Sequence, residues 1–207
     1  MTATRRPRRG IIFIVSAPSG AGKTTISRAA LKEIAGLEAS ISLTTRGARG
    51  GEVDGVDYHF VAEKEFVRRD KAGELAESAR VFDASYGTPR QPLDRAIAEG
   101  RDILLDIDIQ GALQIRKKYG GDTVTTFVLP PSFSELEERL RRRGTENEAA
   151  IARRLEHARS EALSYREYDY LIINADRDDS IAGLLALVTA ERLKAGRLRE
   201  EFAPWKN

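Results

Sequence analysis

Residues 16–25 read SAPSGAGKTT and directly follow the apolar run GIIFIV at residues 10–15. Glycines let backbone N–H groups turn inward toward an anion, and a helix that starts after them adds the positive end of its dipole. A lysine near the start of that helix can reach the outer phosphates of a nucleotide. A buried strand, a glycine-containing loop and a helix in this order predict a phosphate-binding loop.

The loop fits the pattern G-x-x-x-x-G-K-[ST] except at its first position, where Ala17 replaces glycine. That position mainly shapes the turn, so we expect alanine to be tolerated if its backbone angles suit it. Lys23 is predicted to bind the β- and γ-phosphates and the Thr24 hydroxyl to ligate magnesium. The alternative is an ordinary glycine-rich turn between a strand and a helix. The predicted ATP-binding residues of the loop are Ala17, Pro18, Ser19, Gly20, Ala21, Gly22, Lys23, Thr24 and Thr25.

Short apolar runs alternate with helical patterns along most of the chain. Nearly continuous apolar strands that alternate with helices predict an α/β fold, in which helices cover both faces of a parallel sheet. The predicted strands are 11–15, 40–43, 103–107, 124–129 and 171–174, and the predicted helices start near residue 23 and span 111–118 and 178–199.

Two stretches interrupt the alternation. Residues 44–95 combine close-set glycines with aromatics and predict a small mixed α/β lobe inserted into the sheet domain. Residues 139–168 form a highly charged helical pair that is too polar to be core, and they predict a lid. The remaining parts of this single domain are a core of residues 10–43, 96–138 and 169–207, and a basic, disordered arm at residues 1–9.

The length, charge and cysteine content of the chain limit the partners and the chemistry that it can have. The 207 residues allow one sizeable core, and a net charge of only +2 with 32% charged residues predicts no nucleic-acid partner. The chain has no cysteine, which excludes disulfides and thiolate chemistry, and no apolar run long enough for a membrane span. We expect a cytoplasmic protein with small-molecule partners and no membrane association. The sequence does not indicate whether the chain forms an oligomer.

The sequence ILLDID at residues 103–108 places two carboxylates where a strand ends. Asp106 and Asp108 share one face if the strand persists, and a hard divalent cation that accompanies a nucleotide prefers oxygen ligands. We expect both to be functional, with Asp106 holding magnesium through water. The spacing does not decide which is nearer the metal, and solvated acids at a strand end are the alternative.

The sequence SLTTRGARGGEVDGVDYHF at residues 42–60 combines two arginines with a tyrosine in a glycine-rich loop. Guanidinium forks and a phenolic donor suit a dianionic phosphate, so Arg46, Arg49 and Tyr58 are a candidate cradle. Arginines that only keep a loop soluble are the alternative.

Taken together, SAPSGAGKTT, SLTTRGARGGEVDGVDYHF, LAESARVFDASYGTP, LLDIDIQGA and ERLRRRGTENEAAIARRL, in that order, resemble the guanylate kinase family. The resemblance runs from Gly10 to the helix near Leu193. It implies transfer of the γ-phosphoryl group of MgATP to GMP, and to dGMP, in purine nucleotide metabolism, with residues 44–95 binding GMP. Two departures stand out: Ser85 replaces a residue that is often tyrosine, and the basic arm has no counterpart.

The resemblance also implies roles for single residues. Glu77 corresponds to the carboxylate that binds guanine, and Asp108 lies close to the base or the metal. Asn174 and Arg143 flank the adenine. The GMP-binding set is Ser42, Arg46, Arg49, Tyr58, Glu77, Tyr86, Thr88 and Asp108, and the catalytic set is Lys23, Arg46, Arg139, Arg143 and Arg154, the last three being lid arginines.

The chemistry of the bases supports the role given to Glu77. Guanine offers a carboxylate its N1–H and its exocyclic amine, whereas adenine has a bare N1 and no such amine, so AMP would leave Glu77 unpaired. The attacking phosphate oxygen needs no general base, since its second pKa is about 6. His59 and His157 are therefore expected to be surface or packing residues.

Two other functions fit parts of the pattern. Guanylate-kinase-like modules of scaffold proteins bind proteins without turnover, but such modules would be expected to have lost loop residues that are intact here. A related kinase could instead act on a sugar phosphate, although such a substrate offers no base edge for Ser42, Glu77 and Thr88.

Overall fold

The computed structural model of the chain describes residues 8–142 and 148–198. The strands are β1 (Ile12–Ser16), β2 (Leu37–Ala39), β3 (Leu43–Thr44), β4 (His59–Phe60), β5 (Leu75–Val81), β6 (Ala84–Pro89), β7 (Asp102–Asp106), β8 (Thr123–Leu129) and β9 (Tyr170–Ile173). The helices are α1 (Lys23–Glu33), α2 (Glu63–Lys71), α3 (Arg90–Glu99), α4 (Ile109–Tyr119), α5 (Phe133–Arg142), α6 (Glu148–Ala162) and α7 (Arg177–Leu193), with short 3₁₀ turns at 120–122, 163–167 and 195–197.

The larger sheet has five strands in the order β2-β7-β1-β8-β9, and every pairing in it is parallel. Alternate residues of β1 point to opposite faces, as the pleat requires. Phe13 packs with Ile26 and other residues of α1 and α7 on one face, and Ile12 packs with Leu93 and Ile115 of α3 and α4 on the other. The predicted α/β fold with helices on both faces is confirmed.

The smaller sheet has four strands in the order β4-β3-β6-β5. β3 pairs in parallel with β4 and antiparallel with β6, and β5 and β6 form an antiparallel hairpin. Leu43, Phe66 and Leu75 form a separate small core beneath it. This sheet and α2 are inserted between α1 and α3 of the main domain.

The prediction of one strand at 40–43 is wrong. β2 ends at Ala39 and pairs with β7 in the large sheet, whereas Leu43 pairs with Gly87 in the small sheet. The segment between them therefore passes from one sheet to the other. A short stretch of alternating polar and apolar residues does not reveal that its two ends have different partners, because pairing is set by distant residues.

Helix boundaries also differ from the predictions. The lobe was predicted to extend to residue 95, but α3 is one helix from Arg90 to Glu99 whose Leu93 packs against the large sheet. The lid was predicted to start at residue 139, but α5 starts at Phe133, and its buried Leu136 and Leu140 form a small core with Ala158 of α6. The apolar residues of α5 form only a narrow stripe in a highly charged sequence, so the sequence did not indicate that this helix has a buried side.

Residues 1–9 were predicted to be disordered, but the last two of them, Arg8 and Arg9, are bound to the rest of the fold. Arg8 donates both terminal guanidinium nitrogens to the buried carboxylate of Asp102, at 2.7 and 2.6 Å, and Arg9 pairs with Asp122. Arg8 also forms an antiparallel bridge with Leu198. Arg8 and Arg9 each bind a carboxylate through two charge-assisted hydrogen bonds, and these hold the segment against the rest of the protein. Residues 1–7 lie outside the described residues. No helix in the described part of the chain has both the length and the apolar character needed to cross a membrane.

Candidate active site

The loop between β1 and α1 forms a cavity of about 200 Å³ lined by Ala17, Pro18, Ser19, Gly20, Gly22, Lys23, Thr24 and Thr25. Gly20 and Gly22 both have φ of 97°, in the left-handed region that glycine adopts without strain. Ala17 is not in that region, since Phe82 is the only non-glycine residue with positive φ among those described. Alanine at the first pattern position therefore has ordinary backbone angles.

Asn174 supports the loop from behind. Its side-chain Nδ2 donates to the Ala21 carbonyl at 2.7 Å, its Oδ1 accepts from the Ser180 hydroxyl at 3.1 Å, and the side chain is buried. A Cβ on Gly22 would lie 2.3 Å from Nδ2. Both ends of the amide are thus engaged within the protein, and the expected contact with adenine is not visible in this arrangement.

Lys23 lies between the loop and the end of β7. Its Nζ forms an ion pair with Asp106 and donates to the Ile107 carbonyl at 3.2 Å. Parallel pairing of β1 with β7 sets Val15 beside Asp106, so the carboxylate emerges next to the loop. Thr24 is exposed in the first turn of α1.

These oxygen donors fit a magnesium ion brought in by a nucleotide. Thr24 offers a hydroxyl and Asp106 a carboxylate that is 28% exposed, and hard cations prefer such ligands. Within residues 8–142 and 148–198, no cluster of three or more His, Cys, Asp or Glu side chains could hold a metal by itself. The protein groups therefore suit an ion that takes most of its ligands from phosphates and water.

A second cavity, of about 180 Å³, opens between the two sheets. It is lined by Lys23, Ser42, Tyr58, Glu77, Val81, Tyr86, Asp106, Ile107 and Asp108. Lys23 lines this cavity and the loop cavity, so its ammonium group stands between them. Six of the ten predicted GMP-binding and metal-site residues meet here, from separate parts of the chain: Ser42, Tyr58, Glu77, Tyr86, Asp106 and Asp108.

Glu77 is the most buried carboxylate of this cavity, with 5% of the residue exposed. The Thr88 hydroxyl donates to its Oε1 at 2.6 Å across the β5–β6 pair. Burial, and after it the nearby charge of Asp108, raises the pKa of Glu77 to about 7, against the opposing effect of the Thr88 hydrogen bond. A Cβ on Gly111 would lie 2.6 Å from Oε2, so any side chain there would displace the Glu77 carboxylate.

Asp108 has a structural role as well as a place in the cavity. Its side chain caps the N-terminus of α4 by accepting from the Gly111 backbone N–H at 2.8 Å. The cap fixes the carboxylate next to Glu77 and beside the Lys23–Asp106 pair. Asp106, rather than Asp108, forms the ion pair with Lys23.

Arg46 is held with its guanidinium group over aromatic rings. Its NH1 and NH2 bind both oxygens of Glu52 at 2.8 and 2.9 Å, and its Nε donates to the Tyr86 hydroxyl at 3.3 Å. The group also lies 5.2 Å from the Tyr58 ring centroid. The hydrogen bonds from Arg46 lower the pKa of Glu52 to about 2, and burial raises the pKa of Tyr58.

Both arginines of the predicted cradle and one predicted lid arginine, Arg154, face a common cleft of about 580 Å³. Arg46, Arg49, Arg153 and Arg154 line it, together with Tyr86 and the turn between β5 and β6. Arg49 is exposed. A cleft with this density of guanidinium groups is suited to phosphate oxygens.

Of the two predicted lid arginines that the structure describes, Arg154 contacts the phosphate loop and Arg139 does not. Arg154 NH1 donates to the Ser19 hydroxyl at 3.0 Å. Arg139 is held by Glu135 at 2.7 Å and donates to the Asn174 backbone carbonyl at 2.9 Å, directly behind the loop. Arg143 lies outside the described residues.

Three residues of this region were missed by reasoning from the sequence. Glu52 belongs to the same glycine-rich loop as the arginines, and its spacing of six residues from Arg46 was the available signal. Arg153 precedes a predicted lid arginine and lines the same cleft. Phe82 had no local signal, because its positive φ and its contacts depend on the fold.

The two histidines lie away from the cavity of Glu77. His59 is half-buried at the edge of the small sheet, and His157 is on the exposed side of α6, where its Nδ1 pairs with Glu161 at 3.2 Å. A further cavity, of about 830 Å³, lies on the far side of the small sheet and is lined by none of the predicted site residues.

The chain is similar to known guanylate kinases over most of its length. The family model described as guanylate kinase matches residues 9–191. The guanylate kinase of Rhodospirillum rubrum is 51% identical over 191 residues, covering 92% of this chain and 88% of the relative, and that of Zymomonas mobilis is 48% identical over 193 residues, covering 93% and 89%. The crystal structure of guanylate kinase from Anaplasma phagocytophilum superposes with a TM-score of 0.80 at 34% identity and covers 93% of this chain and 91% of that chain. The chain belongs to the guanylate kinase family.

Proposed function

We propose that this chain transfers the γ-phosphoryl group of ATP to GMP, and to dGMP, giving ADP and GDP in purine nucleotide metabolism. The observation that carries the proposal is the position of Lys23, which lines both the loop cavity and the cavity of Glu77. A cation shared by two adjacent cavities suits transfer of a charged group between them. Family membership supports the same reaction.

Glu77 is proposed to select guanine. Its buried carboxylate would accept hydrogen bonds from N1–H and the exocyclic amine, with Thr88 holding one of its oxygens and Ser42 lining the same cavity. AMP would place an acceptor against this carboxylate and leave both groups unpaired, and analogous buried polar sites reject such ligands by roughly 10⁴-fold. Asp108 lines the same cavity at the start of α4 and is proposed to contact the base edge.

Arg46, Arg49, Tyr58 and Tyr86 are proposed to hold the phosphate of GMP. Arg46 is already oriented by Tyr86 and by both oxygens of Glu52. A bound phosphate would compete with Glu52 for the same guanidinium group, or share it. Glu52 thus keeps the fork aligned before the acceptor arrives.

The loop residues Ala17 to Thr25 are proposed to bind the phosphates of ATP through backbone N–H groups, with Lys23 at the β- and γ-phosphates. On binding, Lys23 would exchange Asp106 for phosphate oxygens, which frees that carboxylate. Mg²⁺ would supply charge neutralisation of the phosphates, held by the Thr24 hydroxyl and, through water, by Asp106. Asn174 would act behind the loop rather than on the adenine.

Arg139 and Arg154, with Arg143, are proposed to neutralise charge on the transferring group. Arg154 already donates to Ser19 of the loop, so only a short displacement would bring it to the phosphates. The attacking phosphate oxygen is mostly deprotonated at neutral pH, since its second pKa is about 6. Positioning and charge neutralisation therefore suffice without a general base.

The test is ADP release from MgATP with GMP, AMP, CMP, UMP and ribose 1,5-bisphosphate as separate acceptors. Turnover with GMP alone is the expected result, and Lys23→Ala should abolish it while leaving the fold intact. Turnover with the sugar phosphate alone would indicate the related sugar-phosphate kinase. Folded protein that binds GMP without turnover would indicate a binding module and refute the proposal.

A further inference from the structure

Phe82 occupies an unfavourable position in the hairpin of β5 and β6. Val81 pairs with Ala84, so Phe82 and Asp83 form a two-residue turn. The φ of Phe82 is 53°, in the left-handed region. Such hairpin turns favour glycine, asparagine or aspartate at positions with positive φ, and a bulky side chain there is strained.

The ring of Phe82 gains little burial in return. It is 55% exposed and is not part of the cores beneath either sheet. Its ring neighbours are both on α6: the Arg154 guanidinium carbon lies 5.8 Å from the ring centroid, and the His157 ring centroid lies at 5.7 Å. An exposed aromatic on a strained backbone, directed at one helix of a different segment, points to a function at that contact.

The contact lies between the groups that handle the two substrates. β5 carries Glu77, and β6 carries Tyr86 and Thr88 of the proposed GMP site. On the other side of the ring, Arg154 donates to Ser19 of the phosphate loop at 3.0 Å. One continuous series of contacts therefore runs from the acceptor hairpin through the Phe82 ring and Arg154 to the loop.

We propose that Phe82 is a positioning residue that aligns Arg154 for phosphoryl transfer according to the position of the acceptor hairpin. The inference rests on the proposed function and deepens it. The face of the ring attracts the guanidinium group and limits its orientations without using the N–H donors, one of which binds Ser19. A displacement of the hairpin on acceptor binding would be transmitted through the ring to Arg154.

This role predicts a specific kinetic signature. Losing the ring should lower kcat by roughly 2- to 5-fold, the range that corresponds to one cation–π contact at an exposed site. The KM values for ATP and GMP should change by less than about twofold, since the residues proposed to bind the ground-state substrates are untouched. A residue that only maintained the hairpin would raise the KM for GMP, because Glu77 and Tyr86 would shift.

The test uses the full chain with Phe82→Gly, Phe82→Tyr and, as a matched control, Val67→Ala, which truncates another exposed apolar side chain of the same lobe. Glycine suits the turn, so the melting temperature of Phe82→Gly should stay unchanged or rise while its kcat falls. Phe82→Tyr keeps an aromatic face and should retain kcat within about twofold of the unsubstituted chain. Val67→Ala should leave kcat unchanged.

A double-mutant cycle with Arg154→Ala identifies the partner. In the Arg154→Ala background, adding Phe82→Gly should lower kcat by less than about twofold, because the contact is already absent. An equal loss in both backgrounds, or unchanged kcat in Phe82→Gly alone, would overturn the role of Phe82 while GMP kinase activity of the unsubstituted chain stands. Failure of the unsubstituted chain to release ADP with GMP would instead overturn the proposed function and this inference with it.

Discussion

Glu77→Gln should stabilise the fold while it impairs acceptor selection. The pKa of Glu77 is raised from 4.5 to about 7, chiefly by burial, so the folded state binds a proton more tightly than the unfolded chain. Between these two pKa values, stability falls as pH rises, and the full cost is present above pH 7. Glutamine is neutral at every pH and can still accept from Thr88, so it removes this cost.

The magnitude follows from the two pKa values. Glu77→Gln should raise the free energy of unfolding by about 3 kcal/mol at pH 8.5 and by about 1 kcal/mol at pH 5.5. For a domain of this size, the value at pH 8.5 corresponds to a rise in melting temperature of roughly 6 to 12 °C. Thermal and urea denaturation at the two pH values measure the difference. Glu33→Gln, an exposed glutamate on α1, is the control and should change stability by less than about 0.5 kcal/mol.

The same substitution should weaken turnover with GMP, because an amide cannot accept from both guanine donors at once. In the unsubstituted chain, guanine needs the ionised carboxylate, so the KM for GMP should rise up to about tenfold for each pH unit below 7. Glu77→Gln should lose this pH dependence. Equal stability of the two proteins at pH 8.5 would refute the burial argument, and unchanged discrimination between GMP and AMP would refute the role in base selection.

Three further substitutions test separate parts of the structure. Gly22→Ala should destabilise the fold by about 1–3 kcal/mol, since φ is 97° and the added Cβ would meet Asn174; an unchanged melting temperature would show that the loop is not held as described. Arg46→Lys loses the fork with Glu52 and should raise the KM for GMP roughly 10- to 100-fold in steady-state assays; a parallel rise in the KM for ATP would contradict an acceptor-specific role. Asp102→Ala should cost about 3–5 kcal/mol in urea denaturation, because this 1% exposed carboxylate pairs with two arginines far from the active site; the folded variant should keep its kcat, and a loss of kcat would connect this pair to catalysis.

Whether a prediction was correct depends on how far apart in the sequence the residues that determine the feature are. The loop at residues 17–25 and the strand before it could be predicted from the sequence, because glycines, a lysine and an apolar run determine structure through contacts with adjacent residues. The strand at 40–43 was wrong because two sheets compete for one short segment. The start of α5 was missed because Leu136 and Leu140 become core only when α6 packs on them.

The candidate site shows the same division. The sequence alone determined which residue types were available: Lys23 at a helix start, carboxylates after a strand, and arginines in a glycine-rich loop. The tertiary structure decided which carboxylate pairs with Lys23, that Asn174 faces the loop rather than an open base site, and that Glu77 is buried enough to hold a proton near neutral pH. It also placed Phe82 against Arg154. Burial, ion pairing and ring contacts depend on groups brought together from distant parts of the chain, whereas a glycine turn or an apolar run is a property of adjacent residues.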